Sequence, residues 1–61
     1  MTGVPSLLRV CIVEDDPLML NACAYAVVSL GHEAIPTLTI DTALEIVAHS
    51  RVDVILVDIL M

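Results

Sequence analysis

Acidic side chains close two apolar, strand-like runs in this chain. Leu7-Leu8-Arg9-Val10-Cys11-Ile12-Val13 runs into Glu14-Asp15-Asp16, and Val52-Asp53-Val54-Ile55-Leu56-Val57 runs into Asp58. If the two strands lie parallel and adjacent, their carboxylates meet at one end of a sheet. That end is where open α/β sheets place their ligands, at the switch in crossover direction. Carboxylates gathered there repel one another unless a cation neutralises them, and a hard divalent cation takes oxygen donors of this kind. Asp58 closes an apolar strand, where a carboxylate without a partner is costly, so a site role is favoured for it. Asp16 stands directly before Pro17, a placement that a helix cap fully explains. Asp53 starts its strand at the opposite end and reads as a solvated or turn-bonding residue.

The elements that position these acids follow from the pattern of the chain. Residues 7–13 read as a buried strand, short and apolar on both faces. Asp16 then serves as N-cap with Pro17 at the first helical position, and a helix over about 17–30 ends at Gly31, the usual left-handed C′ residue. A short second strand over about 33–36 contains Pro36, which favours a sheet edge or an exit from the sheet. A second helix over about 41–49, capped by Thr39 or Asp41, carries Ala43, Leu44, Val47 and Ala48 as its apolar stripe. The third strand, about 52–57, is almost wholly apolar after Asp53, as expected of a strand covered on both faces. Helical crossovers make the sheet parallel, and right-handed crossovers on opposite faces give the order 2-1-3. The expected fold is thus a partial doubly wound, flavodoxin-like α/β unit, βαβαβ, with the first strand beside the third.

Composition narrows the function. The 61 residues are 59% hydrophobic and carry a net charge of -6, with two basic residues, Arg9 and Arg51, and no lysine. Phosphate backbones are bound by clustered Lys and Arg, so nucleic-acid binding is not expected, and the acid excess opposes an anionic membrane surface. Cys11 and Cys23 sit inside apolar runs and read as small buried hydrophobes of a reducing compartment. His32 and His49 have no ligand-type neighbour at zinc spacing. The N-terminus lacks a basic leader, and the longest apolar-rich segment, Leu18 to Leu30, falls short of the roughly 20 residues that cross a bilayer. The expected location is the cytoplasm. A chain of this size buries only about 60% of its unfolded surface, so a partner, a dimer or the remainder of a domain is expected to contribute to its stability. Leu18, Met19, Leu20, Cys23, Tyr25, Val27 and Val28 make the first helix apolar nearly all round, which points to cover by further chain or by a partner.

Taken together, Val10-Cys11-Ile12-Val13-Glu14-Asp15-Asp16-Pro17, the Gly31-His32-Glu33 turn, the Ala43-Leu44 helix and Asp53-Val54-Ile55-Leu56-Val57-Asp58-Ile59-Leu60-Met61 resemble the receiver domain of two-component response regulators. The resemblance spans about the first half of such a domain, so residues 1–61 are expected to form a truncated receiver domain. It implies that Asp58 is the phosphoacceptor, phosphorylated from a histidine kinase or phosphotransfer protein, in a module that is not itself an enzyme. It implies a Mg²⁺ ion held by Glu14, Asp15, Asp58 and the backbone carbonyl of Leu60. The family's later strands carry a switch Ser or Thr and a phosphate-binding Lys. Arg9 and Arg51 do not replace that Lys, because each lies roughly 15 Å of extended chain from the acidic end.

Two other readings stand beside this one. In one the chain is a non-phosphorylated receiver remnant that serves as a protein–protein interaction module or is an inactive fragment, and a homodimer through the third-strand edge or the first helix is open to it. A metal-dependent phosphatase or nuclease on a similar sheet is disfavoured, because Asp58-Ile59-Leu60 lacks the second acid of a D-x-D.

Overall fold

A computed structural model of the chain describes residues 7–58. Five elements alternate: β1 (Arg9–Val13), α1 (Pro17–Ser29), β2 (Glu33–Thr37), α2 (Ile40–His49) and β3 (Val54–Val57). The three strands form one parallel sheet in the order β2-β1-β3, the doubly wound arrangement expected from the sequence. β1 pairs with β2 from Arg9 opposite Glu33 to Val13 opposite Thr37. On its other side β1 pairs with β3 from Val10 opposite Val54 to Val13 opposite Val57.

The alternation of β1 divides the core between the two helices. Val10 and Ile12 point to one face and pack with Leu20 and Val27 of α1, with Cys23, Ala24 and Ala34 around them. Cys11 and Val13 point to the other face and pack with Ala43 of α2 and with Val52. Each helix therefore covers one side of the central strand. Burying a side chain such as Ile12 contributes roughly 1.5–3 kcal/mol relative to leaving it exposed.

Local chemistry sets the helix ends. Asp16 is in extended conformation and its Oδ1 accepts the Leu18 N–H at 3.0 Å, with Pro17 supplying the fixed φ of the first turn. At the other end Gly31 has φ +89°; its N–H donates to the Val28 carbonyl at 2.9 Å and that of His32 to the Val27 carbonyl at 3.2 Å. These two bonds are the Schellman pattern, which requires the left-handed residue that only glycine adopts without strain. Thr39 caps α2 through its Oγ1, which accepts the Thr42 N–H at 3.1 Å, and Asp41 adds negative charge to the first turn.

Four expectations need correction. The third strand starts at Val54 rather than Val52, because Asp53 works as an anchor: its carboxylate accepts the Arg9 N–H and its own N–H donates to the Arg9 carbonyl, both at 2.8 Å. β3 is not covered on both faces; its four residues are 36–46% exposed, and among the described elements it packs only against β1. On α2 the buried side chain is Ala43, with Ile46 half-buried, while Leu44, Val47 and Ala48 of the expected stripe face outward. The first helix buries Leu20 and Val27 and leaves Leu18 and Tyr25 almost fully exposed. Cys11 is buried as expected, whereas Cys23 is only half-buried. Among the described residues, no helix is long and apolar enough to cross a membrane.

Candidate functional site

The acids converge because the ends of all three strands are tied together. The Glu14 N–H donates to the Thr37 carbonyl at 3.1 Å, and the buried Thr37 hydroxyl donates to the Ile12 carbonyl at 2.8 Å, locking the end of β2 to the end of β1. On the opposite side the Asp58 N–H donates to the Val13 carbonyl at 3.1 Å, which carries the β1–β3 ladder one residue past Val57. Glu14 and Asp58 are thereby the next residues out along two neighbouring strands.

Glu14 turns inward and is only 5% exposed, while Asp15 is exposed and Asp58 half-buried. The Glu14 Oε1 accepts the Asp16 N–H at 3.0 Å. Its carboxyl is pushed above the ordinary glutamate range, first by a hydrogen bond shared with Asp58. Burial, a hydrogen bond with Asp15 and the Asp58 charge push the same way, and the Asp16 N–H opposes them. Two carboxylates in hydrogen-bond contact must share a proton or repel, so this end of the sheet stores a charge conflict that a proton or a cation relieves.

The sheet end therefore gathers three of the four expected ligands: Glu14, Asp15 and Asp58. The fourth, the Leu60 carbonyl, lies outside the described residues. The donors are oxygen only and anionic, which suits Mg²⁺, an ion bound through one or two carboxylates while it keeps several waters. Their present arrangement is closed onto shared hydrogen bonds; among the described residues no group of three or more His, Cys, Asp and Glu is disposed to hold a metal ion.

Residues outside the cluster have structural partners. Asp16 caps α1, as its position before Pro17 suggested. The His32 Nδ1 accepts the Leu8 N–H at 3.1 Å, and the His49 ring lies 3.0 Å from the Glu45 carbonyl. Burial pushes the Cys11 thiol up, with a smaller opposing effect from Thr37. Both basic residues lie at the far, amino end of the sheet, where Arg9 pairs with Glu33 at 3.4 Å and Arg51 with Asp53 at 3.2 Å. The residue that sequence reasoning missed is Thr37. Its only signal is a hydroxyl at the end of an apolar strand, a placement shared with many turn residues. No family model, curated protein or solved structure matches this chain, so the site is interpreted from its own residues and geometry.

Proposed function

We propose that the chain is a receiver-type phosphoacceptor module of a two-component phosphorelay, taking a phosphoryl group from a histidine kinase or phosphotransfer protein onto Asp58. The observation that carries this reading is the contact between Asp58 and buried Glu14 at adjacent strand ends, with Asp15 beside them. A carboxylate oxygen of Asp58 attacks phosphorus, the new P–O bond forms as the P–N bond of the donor phosphohistidine breaks, and the electron pair leaves with the imidazole nitrogen. Asp58 must be ionised to attack, and its contact with Glu14 ties that ionisation to whatever relieves the charge between the two carboxylates, a shared proton or a cation. Glu14, Asp15, Asp58 and the Leu60 carbonyl are the groups that would hold Mg²⁺, which supplies neutralisation of the phosphoryl charge during in-line transfer. This reading places the chain in the cytoplasm.

The test is incubation with a small-molecule phosphodonor, with and without Mg²⁺, read by intact-mass spectrometry. Mg²⁺-dependent, hydroxylamine-labile phosphorylation that Asp58→Asn abolishes supports the reading; labelling that persists in that variant overturns it.

A second reading is favoured by β3, which among the described elements packs only against β1, and by the exposed apolar side chains of α1. In that reading the unit is a non-phosphorylated interaction module. It predicts self-association or partner binding that is unchanged by Asp58→Asn.

A further inference from the structure

The two acids at the strand ends hang on one peptide group. The Val13 carbonyl accepts the Asp58 N–H, and the N–H of the same peptide unit, that of Glu14, donates to the Thr37 carbonyl, both at 3.1 Å. The unit is planar, so its tilt sets both the direction in which Glu14 leaves β1 and the height at which Asp58 docks beside it. One peptide back, the Ile12 carbonyl accepts the Thr37 hydroxyl at 2.8 Å. Thr37 therefore grips β1 at two consecutive peptide groups, with its main chain on one and its side chain on the other.

Packing does not need that hydroxyl. Thr37 is buried at the end of a strand, where an apolar β-branched side chain of the same shape would leave no polar atom to bury. The same hydroxyl makes a hydrogen bond with the buried Cys11 thiol, so two groups of β1 hold it in place. Thr39, by contrast, spends its hydroxyl on the local cap of α2, whereas that of Thr37 reaches a strand 25 residues back along the chain.

We infer that Thr37 is a positioning residue for phosphoryl transfer to Asp58: its hydroxyl, through the Ile12 carbonyl, holds the Val13–Glu14 peptide in the orientation that sets Glu14 beside Asp58. The inference rests on the phosphoacceptor reading and adds to it a residue that acts only through its neighbours. Groups that orient the direct ligands of a metal site change its affinity or activity by about 10–100-fold when they are lost. In-line transfer is as demanding, because misplacement by about 1 Å can cost on the order of 100-fold. A bond that merely tied β2 to β1 would behave differently: its loss would lower stability and leave the chemistry of the folded molecules unchanged. Asp53 supplies the comparison, since its carboxylate ties β1 to the start of β3 at the amino end of the sheet.

Phosphorylation of the chain by a small-molecule phosphodonor, under conditions where circular dichroism shows each variant folded, tests the inference. Thr37→Val should lower the labelling rate of Asp58 at a fixed Mg²⁺ concentration about tenfold or more. Thr37→Ser, which keeps the hydroxyl, should restore most of that rate, and Asp53→Ala should label as the native chain does. A second measurement needs no variant: in a Mg²⁺ titration followed by carbon-detected NMR, the Ile12 carbonyl should move in step with the Glu14 carboxyl while the Arg9 carbonyl stays still. Native-like labelling of Thr37→Val, a Thr37→Ser chain as slow as Thr37→Val, equal slowing by Asp53→Ala, or an Ile12 carbonyl that ignores Mg²⁺ while Glu14 responds would each overturn the inference and leave the phosphoacceptor reading standing. A native chain that takes no label at Asp58 would overturn that reading and the inference with it.

Discussion

β1 and β3 carry nearly the same apolar text, Val10-Cys11-Ile12-Val13 and Val54-Ile55-Leu56-Val57, and occupy opposite environments. The first is 0–6% exposed and the second 36–46%. The difference lies in coverage. β1 has a strand on each side, and the two crossovers lay α1 on one of its faces and α2 on the other. β3 has β1 on one side and, among the described elements, no helix against either face. An apolar run thus marks a strand, while its burial depends on where the neighbouring crossovers land.

The largest expected effect separates the two strands directly. Ile12→Ala should cost about 3 kcal/mol or more, a loss on the scale of the whole stability of so small a unit, because its neighbours cannot close the cavity. Ile55→Ala should cost less than about 1 kcal/mol in dilute solution, since that side chain already meets water. Urea unfolding followed by circular dichroism measures both. Equal losses would mean that β3 is covered as fully as β1.

The anchors on the two sides of β1 offer a finer contrast. Thr37→Val removes a buried hydroxyl and leaves the Ile12 carbonyl short of a donor, a loss of about 1–2 kcal/mol. Asp53→Ala removes the more exposed bond to the Arg9 N–H and should cost about 0.5–1 kcal/mol, in the same unfolding assay. The reverse order would show that the β3 side is the better-fixed half of the sheet.

The subtlest effect concerns the acids at the shared strand ends. The folded-state pKa of Glu14 is raised, so the stabilisation from its protonated form is complete below about 4.5, the ordinary glutamate value. That contribution is lost as pH rises through the folded value. Thermal melts without divalent ions should therefore show stability falling above that point. Glu14→Gln should flatten the fall, and Mg²⁺ that binds only the folded form should oppose it. A Glu14→Gln chain with an unchanged pH profile would remove Glu14 from the account.

Much of the fold was legible in the chain because its punctuation is local. Asp16-Pro17 starts a helix, Gly31 ends one and Pro36 marks an edge strand, each through one residue's own backbone or capping chemistry. The strand order followed from the alternation of elements, and with it the meeting of Glu14, Asp15 and Asp58. Coverage was less legible, because the exposure of Leu44 and of β3 depends on helix placement, which composition does not encode. Thr37 was hidden for a related reason: a hydroxyl declares a role only when the carbonyl it serves is known.

The central claim is that Glu14 and Asp58 form one coupled acidic site at the carboxyl ends of β1 and β3. Carbon-detected NMR titration of the Glu14 side-chain carboxyl, in the native chain and in Asp58→Asn, with and without Mg²⁺, tests it most directly. The account predicts a midpoint above the ordinary glutamate value that falls when Asp58 is replaced and when Mg²⁺ is added. An ordinary midpoint, indifferent to both changes, would contradict it.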